Sequence, residues 1–190
     1  MKNIVVVSQK GGVSKSTISA EIVSSLIRTD TPYSFFDLDQ QGGVFVESHQ
    51  DVKAVVGVVD TPGALTEHTA EWVRNADTIV LPTRTSRFDI PTFNRMLEII
   101  RSNKRKKTKI IIVLSQFTRF TSGKDFLEWL QSQNLNADIV TFPFSELVIQ
   151  AGANGMSVVE YAPKHSTIRM ATLHMINVIR QSVGLPEESI

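Results

Sequence analysis

Residues 8–17 read Ser-Gln-Lys-Gly-Gly-Val-Ser-Lys-Ser-Thr, between an apolar run, Ile4 to Val7, and a segment of helical period, Lys15 to Arg28. A glycine-bearing turn from a strand into a helix lets backbone amides close around an anion at the positive end of the helix dipole. In that setting Lys15 reaches terminal phosphates, and Ser16 offers a hydroxyl to Mg2+. Gly11, Gly12, Val13, Ser14 and Thr17 complete the loop. The common phosphate-loop pattern G-x-x-x-x-G-K-[ST] fails at both glycines, because Gln9 and Ser14 stand in their places. The competing interpretation is a tight Gly-Gly turn followed by a solvated first-turn lysine.

Two further segments bear on that choice. One is Asp37-Leu38-Asp39-Gln40-Gln41-Gly42-Gly43 after a second apolar run, and the other is Val58-Val59-Asp60-Thr61-Pro62-Gly63 at the end of a third. Carboxylates at the carboxyl ends of strands that flank the loop converge on a Mg2+ ion and an attacking water. Asp37 and Asp39 alternate along a strand end, so they share a direction only if the chain bends there. A lone Asp at such a place also serves as a helix cap or turn carboxylate.

Positioning these residues requires strands alternating with helices. Short apolar runs at Ile4 to Val7, Tyr33 to Phe36, Ala54 to Val59, Thr78 to Leu81, Lys109 to Leu114 and Asp138 to Phe142 predict strands. Their continuous apolarity suits strands buried on both faces of a parallel sheet. Helical spacing predicts helices over Lys15 to Arg28, Thr66 to Asn75, Ile90 to Ser102, Lys124 to Gln133, Glu146 to Ala153 and His165 to Val183. The expected architecture is one three-layer α/β/α domain spanning residues 1–190, with a mostly parallel sheet and its ligand at the carboxyl ends of the strands. Trp72, Phe88, Phe93 and Trp129 are expected in the core.

Composition narrows the function. The 190 residues contain no cysteine, which excludes a disulfide scaffold, an iron–sulfur protein, a thiol enzyme and a cysteine-ligated zinc site. Four histidines, at 49, 68, 165 and 174, are too scattered for an all-histidine metal centre. There is no run of about 18 apolar residues and no secretory signal layout, so a cytoplasmic protein is expected. Net charge is +1, yet six of the nine residues from Arg101 to Lys109 are basic and none is acidic. Such a run is either a solubilising loop at a helix C-terminus or a nucleic-acid contact.

The order of these segments resembles the ParA/MinD family of deviant-Walker ATPases, and within it the partition ATPases. Lys10-Gly11-Gly12-Val13-x-Lys15-Ser16-Thr17 resembles the family's deviant Walker A motif, Asp37-Leu38-Asp39-x-Gln41-Gly42 its second motif, and Val58-Val59-Asp60-Thr61-Pro62 its Walker B strand. Leu81-Pro82-Thr83-x-x-Ser86-x-x-Asp89 and the stretch from Pro143-Phe144 to Glu160 resemble later family segments. Ser14 replaces a glycine of the first motif and Gln40 a proline of the second.

The resemblance implies a P-loop NTPase fold with ATP and Mg2+ as cofactors. It implies Lys15 on the phosphates in cis, Lys10 reaching the partner's phosphates across an ATP-bound homodimer, Ser16 and Asp60 for the metal, and Asp39 for the attacking water, with Asp37 supporting the Mg2+ or that water. It further implies nonspecific DNA binding, for which Lys104, Arg105, Lys106 and Lys107 are the candidates, nucleoid association in the ATP state, and a ParB-like centromere-binding adaptor. Arg119, Lys124, Arg169 and Arg180 could extend that basic surface. Related possibilities are a positioning factor for protein cargo, a biosynthetic ATP-dependent ligase and a nucleotide-binding regulator with little hydrolysis. A membrane-dependent relative would need a C-terminal amphipathic anchor, against which Pro186, Glu187 and Glu188 argue.

Overall fold

A computed structural model describes residues 1–39, 46–63, 67–118 and 120–189. Six strands, β1 (Lys2–Val6), β2 (Tyr33–Asp37), β3 (Val56–Asp60), β4 (Thr78–Arg84), β5 (Lys109–Phe117) and β6 (Asp138–Pro143), form one sheet in the order β2-β3-β1-β4-β5-β6. Every pairing between these strands is parallel. The helices are α1 (Lys15–Arg28), α2 (Glu67–Asn75), α3 (Ile90–Asn103), α4 (Thr121–Ser132), α5 (Glu146–Ala153), α6 (Val158–Tyr161) and α7 (Thr167–Ser182). A 3-10 turn, Arg87–Asp89, leads into α3.

The apolar runs are continuous because both faces of the sheet are covered. Ile4 and Val6 of β1, with Ile111 and Val113 of β5, pack in one core with α1 and α7. Val5 and Val7, with Ile112 and Leu114, face the other way onto Val73 of α2, Phe93 and Ile100 of α3 and Leu130 of α4. Side chains alternating across each strand thus feed two cores, one per helical layer.

Where the structure departs from sequence expectation, the reasons are local. Strand β4 continues through Pro82, which would ordinarily end a central strand. The Val80 carbonyl accepts from Val7 N–H at 3.0 Å, so the missing Pro82 N–H, two residues on, faces β1 beyond the last paired position. Helix α4 starts at Thr121 rather than Lys124 and includes Gly123, where a Cβ would stand 2.1 Å from the Thr118 carbonyl oxygen. The short helix α6 carries no periodic signal and is held by a capping box between Ser157 and Glu160. Phe93 is buried and Trp72 and Trp129 pack on the same core, but Phe88 is 90% exposed. It lies in the 3-10 turn, outside the helical period that would turn it inward.

After α7 the chain folds back onto α1. Glu188 accepts from Arg28 Nε at 2.6 Å and Ser25 Oγ at 2.6 Å, and its backbone is paired with the Asn177 amide. Among the described residues no helix is long and apolar enough to cross a membrane.

Candidate functional site

Sheet order decides where the site lies. The chain moves from β1 outward to β2, returns through β3, and then crosses β1 to continue with β4. The loop after β1 therefore sits at the switch point, where adjacent connections leave a crevice at the carboxyl ends of the strands.

Two residues in left-handed conformation shape that loop, Gly12 at φ 71° and Ser14 at φ 67°. Gly12 adopts it freely, whereas Ser14 carries a Cβ that disfavours it. Ser14 occupies the N-cap of α1, but its side chain makes no capping hydrogen bond. The helix thus presents its first turn, and the positive end of its dipole, to the crevice without a side-chain cap from that residue.

The loop, β2 and β3 bring four candidate residues together. Lys15 is buried at 7% exposure, and its Nζ lies 3.8 Å from Asp39 Oδ2. Asp60, the last residue of β3, is fully buried, and neither carboxylate oxygen completes a hydrogen bond with another group. Burial pushes its carboxyl up to about 6; the nearby Ser16 hydroxyl and Lys15 ammonium pull it down, and Asp37 and Asp39 push it further up. A buried carboxylate with unused lone pairs beside a serine hydroxyl is the donor chemistry that a hard divalent cation takes. The residues present fit Mg2+.

Asp37 and Asp39 are accommodated by the bend that their spacing required. Asp37 ends β2, and its Oδ1 accepts from the Asp39 N–H at 2.9 Å, turning the chain so that Asp39 faces Lys15. Gln40 to Gly43 of this motif lie outside the described residues, as do Arg119 and the expected helix start at Thr66.

Lys10 does not join this group. Its Nζ donates to Asp89, whose other carboxylate oxygen accepts from Arg84 Nε at 3.1 Å. The side chain is thus turned across the end of β4, away from Lys15. Sequence reasoning gives Asp89 no role, although it ends the Ser86-x-x-Asp89 segment. Gln116 carries no motif that would single it out, yet its Nε2 donates to the Gly12 carbonyl at 3.1 Å.

The basic run lies elsewhere. Helix α3 ends at Asn103 and Lys109 begins β5, so Lys104 to Lys107 occupy the amino edge of the sheet, opposite the crevice. Lys106 and Lys107 are exposed and Lys104 is partly exposed. Arg105 is engaged, donating to the Ala76 carbonyl at 2.8 Å and the Asn75 carbonyl at 3.3 Å and pairing with Asp77 at 3.3 Å. Of the other basic candidates, Arg180 is buried and donates to the Pro186 carbonyl at 2.8 Å.

The chain is similar in structure to Cyanothece McdA, an aspartate-to-alanine variant in complex with ATP, with a TM-score of 0.80 and 14% identity over 100% of this chain and 99% of that one. It is similar to the cell division protein MinD of Aquifex aeolicus, at 0.72 and 16% over 100% and 99%. A third likeness is to cobyrinic acid a,c-diamide synthase from Mycobacterium smegmatis with bound ADP and magnesium, at 0.72 and 14% over the whole of both chains. No curated protein sequence matches this one. At such identities the likeness is one of fold. The sequence itself matches the CobQ/CobB/MinD/ParA nucleotide binding domain over residues 4–158, and the chain belongs to that family.

Proposed function

We propose that this chain is a Mg2+-dependent ATPase of the partition type, which closes on a second copy of itself around two ATP molecules. The observation that carries this reading is the convergence of Lys15, Asp39 and Asp60 at the switch point, with Lys10 turned away from its own loop. Lys15 holds the phosphates of its own nucleotide. Ser16 and Asp60 would hold the metal. Bound Mg2+ supplies charge neutralisation across the transferring phosphoryl group. Asp39 orients the attacking water, with Asp37 fixing the turn that places it. Lys10 acts in trans, as a cation brought to the partner's phosphates where charge accumulates.

In the closed state the protein binds DNA without sequence preference, associates with the nucleoid in the cytoplasm, and is released when a DNA-bound, ParB-like adaptor stimulates hydrolysis. The supporting feature is the basic run, whose Lys104, Lys106 and Lys107 are available to phosphates. Sedimentation with and without ATP, in the presence of DNA, tests the reading. An ATP-dependent dimer that retains DNA supports it. Absence of both overturns it and leaves the ligase or regulator alternatives.

A second reading, a positioning factor for protein cargo or a nucleotide-binding regulator with little hydrolysis, is favoured by one observation. The basic run sits at the opposite edge of the sheet from the nucleotide crevice, so closure through the crevice does not assemble it. DNA retention that is equal with and without ATP would favour this second reading.

A further inference from the structure

Gln116 lies at an irregularity in β5. The β5–β6 register runs one to one as far as Ser115 opposite Phe142 and resumes with Phe117 opposite Pro143, leaving Gln116 as the extra residue of a bulge. Its φ is 53°, in the left-handed region that a residue with a Cβ disfavours. Glycine would turn the same bulge without that penalty. Backbone outliers of this kind persist where the surroundings hold them, and they concentrate at ligand clamps.

The side chain of Gln116 is exposed, and it donates the 3.1 Å bond from Nε2 to the Gly12 carbonyl across 104 residues of sequence. A trans peptide is planar, with its C=O and N–H pointing in opposite directions. Gln116 lies on the β5 side of the loop and draws the Gly12 carbonyl toward itself. The Val13 N–H of the same peptide therefore points away from Gln116, and β1 and β3, next to which Lys15, Asp39 and Asp60 gather, lie on the far side of β4 from β5. Gly12 has its own φ at 71°, so this peptide is among the least constrained by its own residues and depends on an outside contact for its orientation.

We infer that Gln116 is a positioning residue for nucleotide binding, which fixes the Gly12–Val13 peptide so that the Val13 N–H faces the phosphates. The inference rests on the reading of the crevice as the nucleotide site. Two variants separate this role from that of a bulge residue. Gln116→Gly removes the side chain and suits the backbone conformation, whereas Gln116→Glu keeps the length but presents acceptors and a negative charge to the Gly12 carbonyl.

The measurements are thermal melting, the Kd for ATP with Mg2+ by calorimetry, and kcat. For Gln116→Gly the expected result is a melting temperature equal to or above the parent's, a Kd weakened about 3- to 10-fold, as loss of one neutral hydrogen bond gives, and unchanged kcat. Gln116→Glu is expected to weaken Kd further. If the parent binds ATP and Gln116→Gly binds it equally well, the side chain only fills the bulge and the inference is wrong. If the parent does not bind ATP, the nucleotide reading fails and takes this inference with it.

Discussion

Lys10 and Arg84 share a single buried carboxylate, that of Asp89, which is 3% exposed and stands at the entrance to α3. The Lys10 side chain is thereby held by a group that has a second cation in reserve. If Lys10 is removed or turned aside, Arg84 still neutralises Asp89. Desolvated carboxylates are costly when stranded, and this arrangement avoids stranding one.

The two sides of the pair should accordingly be unequal. Lys10→Ala is expected to cost about 1 kcal/mol or less, because Lys10 is one-third exposed and Arg84 remains. Asp89→Ala leaves two cations facing each other and is expected to cost about 2–4 kcal/mol. Urea denaturation of both variants checks this, and equal losses would refute the shared-carboxylate account.

Ser14 at φ 67° offers a test of the loop's strain. Ser14→Gly removes a left-handed penalty of about 1 kcal/mol or more, part of which is returned as backbone entropy in the unfolded chain. The variant should melt higher and bind and hydrolyse ATP at least as well as the parent. No change in any of the three would show that the loop carries Ser14 without strain.

Two buried glutamates predict opposite pH dependences. Burial raises the Glu21 carboxyl to about 7, although the Val158 N–H bonded to its Oε1 at 2.6 Å pulls it down. Its stabilising contribution is therefore full below the unfolded value near 4.5 and is lost as pH rises toward and through 7. Glu188 is also desolvated, but Arg28 and Ser25 outweigh that and hold it below its ordinary value. Its contribution is present above about 4.5 and is lost as pH falls through the depressed value. Glu21→Gln should stabilise the protein by about 1–3 kcal/mol at pH 8 and far less at pH 5, in paired denaturation curves. A gain independent of pH would contradict this assignment.

For the basic run, the hydrogen bonds of Arg105 predict a division of labour. Replacing Lys104, Lys106 and Lys107 with alanine should leave stability within about 0.5 kcal/mol of the parent. If these lysines touch phosphates, the replacement should flatten the dependence of log binding constant on log salt by about 0.9 for each phosphate no longer neutralised. Arg105→Ala should act on stability, since it removes the donors to Asn75 and Ala76 and one of the two cations, with Lys2, that pair with Asp77. An unchanged salt slope in the triple variant would remove these lysines from the DNA account.

Much of this is legible in the sequence for physical reasons. The apolar runs locate the six described strands, most plainly β1, β3, β4 and β5, where burial on both faces leaves little room for polar alternation, and less plainly the edge strands β2 and β6. Lys15 to Arg28 coincides with α1 because Gly12 and Ser14 mark its start and apolar spacing its length. What escapes are contacts between residues far apart in the chain. Nothing local tells Lys10 that Asp89 will stand beside it, or Gln116 that it will meet Gly12. The edge occupied by Lys104 to Lys107 follows from strand direction once β5 is known to be parallel, and so belongs to topology rather than composition. Phe88 departs from its expected place in the core because a 3-10 turn interrupts the helical period just before α3.

The central position of β1 has a consequence for the order in which the protein is made. It precedes the other strands of the sheet along the chain, yet Lys2 pairs with Val56 and Ile4 with Thr78, so it cannot be flanked on both sides until β4 has emerged. Such distant pairing slows folding relative to local hairpins or helical bundles. The phosphate loop hangs from this strand, and the ability to hold a nucleotide therefore arrives only once the two halves of the sheet have been joined.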